Sequence, residues 1–556
     1  MAKTKLERTL FANVPEEDVA ALSKGERTAL LDLVDEALAA KARRVVKIAP
    51  LDAGDAQHTL AVLRLVNRPF IVDSILAELS RRAVSPLLVA HPVVETDKTS
   101  VSLIALVLPA MDAPARKELK ATFESVLDAV RTVTDDWRPM RARLSTAAIE
   151  LEAAPAKAAA RDEAIAFLQW LLDDNFVLLG ARDYGFEKGE LVPAQAGALG
   201  ILRDKGLAVM SRSGKPLTMT AEMRAFLETP DPLIITKADA RSLVHRNAHL
   251  DYIGIKRYAA DGSVAGELRI VGLFTSTAYT RSLATIPVLR RKARKVLDHF
   301  KADGASHSGK ALTNVLETWP RDDLFQIAPQ TLIDFVGRVL VLEERPRVRV
   351  LARPDGFNRF VSIFAYVPRE RYDSDVRTRM GAHFADVFDG RLSAFYPAFL
   401  ENGMVRVHFI IGRGDGKTPV VDTADLEAAV VSITRTWEDR LVAADPDAPV
   451  HAYPLAYREA FDATTALADA AQFEGLSEDA PHAVNFYAPE NADDAAGLAL
   501  KIHHFGEPMP LSRRVPTLEN MGFSVIEEVS YEIARADGAT VYLHDMMLRL
   551  TIGAPQ

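Results

Sequence analysis

The stretch RLVNRPFIVDSILAEL, residues 64–79, decides the fold of the first part of this chain. An apolar run over 59–66 predicts a strand that leads into Asn67-Arg68-Pro69, and apolar side chains at helical spacing predict a helix over 71–82. Pro69 suits the first helical turn, where its missing N–H leaves no bond unmade. Such a corner is either a pocket for a small anion, held by the helix N-terminus and Arg68, or a tight turn between two packed elements.

The elements on either side of this corner complete a small sheet. Two apolar runs, 86–94 and 101–108, follow the helix, and a second amphipathic helix is predicted over about 113–134. The order strand, helix, strand, strand, helix predicts a module with both helices on one face of the sheet, which is the ferredoxin-like arrangement. We expect one charged helix over 16–44 before this module and an Ala-rich connecting helix over 145–165 after it.

The rest of the chain contains further units of strands and helices, as expected for 556 residues, which are too many for one hydrophobic core. The segment 150–285 is rich in strands, and Asp261-Gly262 between two of them predicts a hairpin. A further α+β unit, with a strand order that we expect to differ from the first, is predicted after residue 345. Strand, helix, strand, strand returns after residue 495, without a second helix. The predicted segments are 1–44 (helical lead), 45–145 (first module), 150–285 (antiparallel α/β domain), 286–344 (helical connector), 345–445 (second module), 446–494 (helical connector) and 495–556 (third module, cut short).

The composition excludes several classes of protein. The formal net charge of −9 argues against a nucleic-acid partner, which would need a concentrated basic surface. The absence of cysteine excludes disulfides, thiolate zinc sites and a cysteine nucleophile. The first residues lack the apolar core of a signal peptide, and the longest apolar run, 101–111, is far shorter than the ~20 residues that span a membrane. We therefore expect a cytoplasmic protein with neither nucleic-acid nor membrane partners.

Glycine and histidine patterns do not predict an active site. GASHSGKA, residues 304–311, lacks the final Ser or Thr of a phosphate loop, and it follows a helix instead of a strand. GRGDGK, residues 412–417, has the wrong spacing for a dinucleotide and is followed by Pro419. His503 and His504 are adjacent in a predicted strand, so they face opposite sides and cannot bind one ion together. No catalytic, cofactor-binding or metal-binding residue is predicted.

Two groups of residues remain candidates for binding. The corner described above could hold the carboxylate of a free amino acid. The polar strands over 232–258 carry cations that could hold an anion or a partner's carboxylates, or that could be paired on a solvated sheet face. The candidate effector residues are Asn67, Arg68, Pro69, Phe70 and Asp73, and the candidate anion or interface residues are Lys237, Arg241, Arg246, Lys256 and Arg257.

Several long blocks resemble one family. The corner is similar to a loop of ACT domains that often reads Asp-Arg-Pro-Gly, although Phe70 stands here in place of the glycine. FLQWLLDDNFVLLGARDYGF (167–186), PLIITKADARSLVHR (232–246), GKALTNVLETWPRDDLFQI (309–327) and RFVSIFAYVPRERY (359–372) resemble the large NAD-specific glutamate dehydrogenases of bacteria. With the flanking modules the resemblance covers nearly the whole chain.

The resemblance implies a fold and a function. The fold would be α+β multidomain, with ACT-type βαββαβ modules, a PAS-like domain over 150–285 and helical connectors. The family oxidises L-glutamate with NAD to 2-oxoglutarate and ammonia, and its catalytic and Rossmann regions lie downstream of such modules. The interpretation is therefore a regulatory and assembly portion that lacks the catalytic region, binds no cofactor of its own and is inactive alone. The alternative is a stand-alone ACT-type amino-acid sensor or oligomerisation protein. Expected partners are the chain's own downstream catalytic region, copies of itself and a free amino acid as effector.

Overall fold

The computed structural model describes residues 3–550 except 54–55, 96–99, 188–189, 205, 210, 213–214, 217–223, 225–226, 230, 305, 415, 489–497 and 536. The strands of these residues form four antiparallel sheets of four to six strands and a two-stranded ribbon. Helices pack on the sheets and between them, which confirms the predicted α+β multidomain class. Across the described part of the chain, no helix is both long and apolar enough to cross a membrane.

The first sheet contains the corner between strand and helix at residues 64–79. Its spatial order is Val45–Ala53, Ala56–Val66, Ser100–Pro109 and Leu88–Ala90, with Val93–Glu95 also paired to the third of these. Residues 101–108 are all buried, because helices cover both faces of the sheet. On one face Leu63 and Leu106 pack with Ile75 and Phe123, and on the other face lie the early helices. The early helices are Lys3–Leu10, Glu16–Ala21 and Lys24–Ala39, and the helices on the first face are Ile71–Arg81 and Ala113–Glu152.

Two helix predictions in this region are wrong. The predicted helix over 16–44 is divided, because Ser23 and Glu26 form a capping box that starts a new helix at Lys24. The predicted helix over 113–134 and the first part of the predicted connecting helix over 145–165 form one helix, Ala113–Glu152, which continues through Pro139. Its buried apolar side chains, including Met140 and Leu144, extend beyond the proline, and this packing offsets a cost of about 3 kcal/mol for an interior proline.

The second sheet lies in the predicted antiparallel domain. Its order is Leu233–Arg241, His249–Tyr258, Val264–Phe274, Phe176–Glu187 and Glu190–Pro193, with Leu199–Gly200 also paired to the fourth strand. The hairpin at Asp261-Gly262 is confirmed, and Gly262 supplies the left-handed conformation at φ 85. In the stretch LGILR, residues 199–203, only Leu199–Gly200 is a strand, because Ile201–Arg203 forms a 3₁₀ turn. The helix Ala158–Trp170 precedes this sheet, and one π-helical turn, Leu171–Asn175, connects it to the strand Phe176–Glu187.

A run of helices, which we call the helical connector, follows the second sheet. Its helices are Ser276–Thr280, Leu289–His299, His307–Thr318, Arg321–Gln326 and Pro329–Glu344. We call Arg321–Gln326 the junction helix, because residues at its start bind both neighbouring sheets. The GASHSGKA stretch leads into the helix His307–Thr318 and follows the helix Leu289–His299, so it does not follow a strand as a phosphate loop would.

The third and fourth sheets repeat the connectivity of the first. The third has the order Arg349–Pro354, Phe360–Pro368, Met404–Arg413, Gly390–Phe399, and the fourth has the order His482–Tyr487, Leu498–Phe505, Thr540–Leu550, Phe523–Ala534. In all three sheets the spatial order is first, second, last, third in the chain. The expected difference in strand order is therefore wrong. The predicted βαββαβ order is also corrected, because the outer strand precedes the first helix instead of ending the module.

The fourth sheet contains a strand that the sequence pattern did not predict. His482–Tyr487 is an edge strand with mostly exposed side chains, so it lacks the apolar alternation that marks a strand in a sequence. The sheet thus has four strands where three were expected. Helices cover parts of both faces: Phe473 packs with one cluster and Leu518 with another. The remaining helices are Ser374–Val387, Thr423–Ile433, Trp437–Ala444, Leu455–Ala460, Ala463–Glu474 and Leu511–Asn520.

Candidate functional site

The corner after the second strand of the first sheet is a packing contact in the structure. The N–H of Asn67 donates to the carbonyl of Ser100 at 2.9 Å. Arg68 Nη1 donates to Thr134 Oγ1 at 2.8 Å and is paired with the carboxylate of Asp135 on the long helix. An anion in this loop would have to compete with Asp135 for the guanidinium.

The helix side of the corner contacts the second sheet. Pro69 lies before the helix cap and not in the first helical turn, since the cap is Phe70. Phe70 has the left-handed conformation, φ 69, and its ring centroid lies 5.1 Å from that of His245. His245 donates its backbone N–H to Ser74 Oγ at 2.8 Å, and its Nδ1 lies 3.3 Å from Asp73 Oδ2. The structure thus brings the effector candidates together as a joint between two modules. Amino-acid binding at this loop stays a prediction.

The five candidate cations of the second sheet do not form one cluster. Arg257 lies 3.5 Å from Asp183, and Lys256 Nζ donates to the carbonyl of Thr229 at 2.6 Å. Burial lowers the pKa of Lys256 to about 8. Arg241 lies opposite His249 at the other end of the strand pair. Only Lys237 and Arg246 lie at one place, where the sheet meets the helical connector.

Lys237 is shared by two carboxylates. Its Nζ lies 2.6 Å from Asp251 Oδ1 on the neighbouring strand and 3.1 Å from Asp322 Oδ2 on the junction helix. Asp251 Oδ2 accepts the N–H of Phe274 at 3.0 Å, and Asp322 Oδ1 accepts the hydroxyl of Tyr279 at 2.9 Å. One ammonium therefore joins a carboxylate of its own sheet and a carboxylate of another module.

The surroundings shift the pKa values of Asp251 and Lys237. Burial raises the pKa of Asp251 to about 6, with the charge of Lys237 opposing the rise and that of Asp322 adding to it. Burial acts to lower the pKa of Lys237, but the carboxylates of Asp322 and Asp251 outweigh it and raise the pKa. Such perturbed groups mark candidate functional sites or structural ion networks.

The other side of the junction is built on Asp323. Trp319 Nε1 donates to Asp323 Oδ2 at 2.9 Å, while Arg353 Nη2 and Ser362 Oγ donate to Oδ1 at 2.6 and 3.0 Å. Ser362 Oγ lies 2.8 Å from His408 Nε2. Burial alone would raise the pKa of Asp323, but the Arg353 guanidinium and the other donors hold it below its usual value. Burial lowers the pKa of His408 to about 4.

Two further cations, Arg359 and Lys292, bind backbone carbonyls at the junction. Arg359 of the third sheet is buried and donates from Nη1 to the carbonyl of Lys237 at 2.7 Å and from Nη2 to Thr236 Oγ1 at 2.9 Å. Lys292 Nζ donates to carbonyls at the end of the junction helix and just beyond it: Leu324 at 2.8 Å, Phe325 at 2.8 Å and Ile327 at 2.9 Å. Burial lowers the pKa of Lys292 to about 7. The arrangement can fix three modules against each other and can bind or release a proton at Asp251.

Sequence reasoning missed most of this site. The run Trp-Pro-Arg-Asp-Asp, residues 319–323, lies inside a block quoted for its resemblance, but its two acids were not assigned a role. The available signal was a pair of adjacent carboxylates in a segment that is otherwise largely apolar. The two adjacent histidines have different partners: His503 Nε2 lies 3.1 Å from Asp469 Oδ1, and His504 stacks on His482. No cluster suited to a metal ion occurs among the residues that the structure describes.

Family models match four stretches of the chain, and all four models describe domains of glutamate dehydrogenase. They are the ACT1 domain at 6–134, helical motif 1 at 286–345, the ACT2 domain at 349–438 and the ACT3 domain at 481–555. The three sheets with shared connectivity lie in these three ACT domains, which confirms the predicted ACT-type modules. The first match begins at residue 6 and so includes the early helices.

Curated relatives are similar along most of the chain. The NAD-specific glutamate dehydrogenase of Halomonas elongata is 34% identical over 531 residues, which is 88% of this chain and 33% of the relative. That of Pseudomonas aeruginosa is 31% identical over 528 residues, 88% of this chain and 32% of the relative. That of Mycobacterium tuberculosis is 28% identical over 465 residues, 79% of this chain and 27% of the relative. The chain spans about a third of the length of these relatives.

These matches correct the functional interpretation of the sequence. The prediction of a regulatory portion set apart from the enzyme, without the catalytic region, is wrong, and so is the alternative of a stand-alone sensor. Proteins that carry the name of the enzyme itself align with 88% of the chain. The relatives are named NAD-specific, in agreement with the cofactor that the resemblance implies for the family's whole enzyme.

Proposed function

We propose that this protein acts as an NAD-specific glutamate dehydrogenase. The reaction would convert L-glutamate, NAD and water into 2-oxoglutarate, ammonia and NADH. The observation that carries this proposal is the alignment of 88% of the chain, at 34% and 31% identity, with two enzymes of that name. The four matched domain models, spread from residue 6 to residue 555, support it independently.

We assign NAD to none of the described residues. The glycine-rich stretch 412–417 does not fit a dinucleotide, because Arg413 is buried and donates to the carbonyl of Lys417 at 3.0 Å, and Asn358 Nδ2 donates to that of Gly416 at 2.9 Å. A phosphate loop needs free backbone N–H groups at a helix start, and no helix begins on these glycines. No catalytic step is therefore derived through NAD from these residues.

We infer that the second sheet belongs to a PAS-type domain. The strands Phe176–Glu187 and Glu190–Pro193 come first in the chain, and three strands from 233 to 274 follow after an intervening segment. In space the order is second, first, last, fourth, third, so the first strand and the last are central neighbours. An antiparallel sheet whose five longer strands have this order, preceded by a helix, supports the PAS-type assignment.

We further propose copies of the chain itself and a free amino acid as partners of the ACT-type modules, and neither a nucleic acid nor a membrane. The net charge of −9 supports the exclusion of nucleic acid. The proposed substrates, NAD and free L-glutamate, are metabolites of the cytoplasm, which is the location we propose. The junction fits an enzyme whose modules must keep a fixed arrangement, because it joins the second and third sheets through the partly exposed pair Lys237–Asp322 and the buried carboxylate of Asp323, which pairs with Arg353.

The proposal is tested by an NADH absorbance assay on the purified protein. We expect NAD reduction that requires L-glutamate, and NADH oxidation that requires both 2-oxoglutarate and ammonia. D-glutamate and L-aspartate serve as matched controls, and NADP replaces NAD in a parallel reaction. No L-glutamate-dependent reduction of NAD, or equal rates with NAD and NADP, would contradict the proposed function.

A further inference from the structure

The two sides of the junction helix are chemically different. On the side of the third sheet, Asp323 has three donors, and one of them, Arg353, brings a full positive charge. On the side of the second sheet, two carboxylates, Asp251 and Asp322, share the single ammonium of Lys237. The first side is electrostatically balanced, whereas the second has more negative than positive charge when both carboxylates are ionised.

The members of the second side differ in location. Asp251 and Lys237 are cross-strand partners in one sheet, and the side chain of Asp251 is only 3% exposed. Asp322 belongs to another module and its side chain is 34% exposed. Contact between the modules at this point thus depends on how Lys237 divides its ammonium between an internal partner and an external one.

We propose that Lys237, Asp251 and Asp322 form a proton-sensitive latch between the second sheet and the junction helix. When Asp251 is ionised, it competes with Asp322 for Lys237, and the two carboxylates repel each other. When Asp251 takes up a proton from solvent, the repulsion ends and Lys237 pairs with Asp322 alone. The contact between the second sheet and the junction helix is therefore stronger when Asp251 is protonated and weaker when Asp251 is ionised.

The other polar groups around Asp251 do not reverse this effect. Arg246 lies over the ring of Tyr279, 5.8 Å from its centroid, and its Nη2 donates to the carbonyl of Phe274 at 2.7 Å, so its charge is constant. Burial raises the pKa of Tyr279, which keeps its hydroxyl a donor to Asp322. Burial, followed by the charge of Arg241, lowers the pKa of His249 on the strand of Asp251, which favours its neutral form.

One charged residue of the third sheet also contacts this region. Arg359 donates to the carbonyl of Lys237 and is paired with Asp355 at 2.8 Å and with Asp239 at 3.6 Å. The pKa of Arg359 is raised, because its carboxylate neighbours outweigh burial, so its charge does not change in the range where Asp251 titrates. Protonation at Asp251 is therefore the event that changes the charge of the latch.

The latch is tested by hydrogen–deuterium exchange of the purified protein, corrected for the intrinsic effect of pH on exchange. The two conditions lie about one unit below and about two units above the Asp251 pKa of about 6. We expect several-fold faster exchange at the higher pH in peptides that cover the junction helix and the strand Leu233–Arg241. Peptides of the third sheet, whose contacts are made through Asp323, should not exchange faster at the higher pH.

Two variants and a control make the test specific. Asp251→Asn imitates the protonated carboxyl, so its exchange should stay slow at both values. Asp322→Asn should exchange fast at both, and it keeps the test valid if the buried substitution prevents folding. Asp334→Asn removes an exposed carboxylate paired with Arg338 and should behave as wild type. Exchange in the wild type that does not change with pH, or a pH effect that persists in either latch variant, would overturn the proposal. The result does not depend on the proposed reaction, because exchange is measured without turnover.

Discussion

Asp322 and Asp323 are adjacent in the chain, and their carboxylates bind side chains of two different sheets. Asp322 Oδ2 lies 3.1 Å from Lys237 Nζ in the second sheet, and Asp323 Oδ1 lies 2.6 Å from Arg353 Nη2 in the third. Successive residues of a helix point about 100° apart, so one turn can present two carboxylates in two directions. A helix of six residues thereby joins the sheet that precedes it in the chain to the sheet that follows it.

The long helix contains a second pair of this kind. Asp135 is paired with Arg68 of the first module, whereas Asp136 accepts the backbone N–H of Gly200 at 2.7 Å and an N–H of Arg203 at 2.7 Å in the second. The side-chain bond from Arg203, together with the backbone bond, outweighs burial and lowers the pKa of Asp136. Adjacent aspartates on a helix are thus used twice in this chain to connect modules.

Asp323→Ala should be among the most destabilising substitutions at the junction. The side chain of Asp323 is 1% exposed, and its removal leaves the buried guanidinium of Arg353 without a carboxylate. Breaking a buried pair in this way costs about 3–5 kcal/mol of unfolding free energy. The measurement is a urea titration of the purified variant. Asp322→Ala is the matched control and should cost less, because that side chain is a third exposed. Equal costs for the two substitutions would contradict the distinction between a buried side and a partly exposed side.

A second prediction concerns Phe70 and separates the cost of its backbone conformation from the contribution of its ring to stability. Its φ of 69 is a left-handed conformation that costs an ordinary residue about 1–2 kcal/mol and glycine almost nothing. Phe70→Ala and Phe70→Gly both remove the ring contact with His245. We therefore expect Phe70→Ala to be less stable than Phe70→Gly by about 1 kcal/mol in thermal or urea unfolding. The reverse order would show that the left-handed conformation is not retained in the variants.

The corner of the first sheet shows what the sequence could and could not predict. The strand, the loop and the helix follow from local periodicity, and all three are found, with Ile71 as the first helical residue. The partners of the loop were not predictable, because Asp135 is 67 residues and His245 171 or more residues away in sequence. Local patterns report which face of an element is buried but not which element buries it.

The junction illustrates the same limit. Lys237 and Arg246 were candidates because cations in a strand-rich segment are visible in the sequence. Asp322 lies in a different predicted segment, so no local pattern pairs it with Lys237. The strand His482–Tyr487 was missed for another reason, since an edge strand with exposed side chains has no apolar alternation. Its presence is determined by pairing with Leu498–Phe505, which is a tertiary contact.

The effector prediction at the first corner is tested with Arg68→Ala. The Arg68–Asp135 pair is partly exposed, so its loss should cost at most about 1 kcal/mol, and the variant should fold. Calorimetric titration with free amino acids should then show binding to the wild type that is lost in Arg68→Ala. Arg141→Ala is the control. It removes a partly exposed arginine that lies on the long helix and not in the loop, and this variant should bind normally. Binding that is equal in all three proteins would remove this loop from consideration as the effector site.

His408 should contribute a pH dependence of stability opposite in sign to that of Asp251. Burial lowers the pKa of His408 to about 4, against about 6.5 for an unfolded histidine, so its contribution is complete above pH 6.5 and is lost as the pH falls towards 4. The raised pKa of Asp251, about 6, acts the other way, because folding then favours the protonated carboxyl and stability rises as the pH falls. Urea titrations of wild type and His408→Gln across this range isolate the histidine. We expect a smaller loss of stability on acidification in the variant; an identical loss would show that His408 is not the group that titrates.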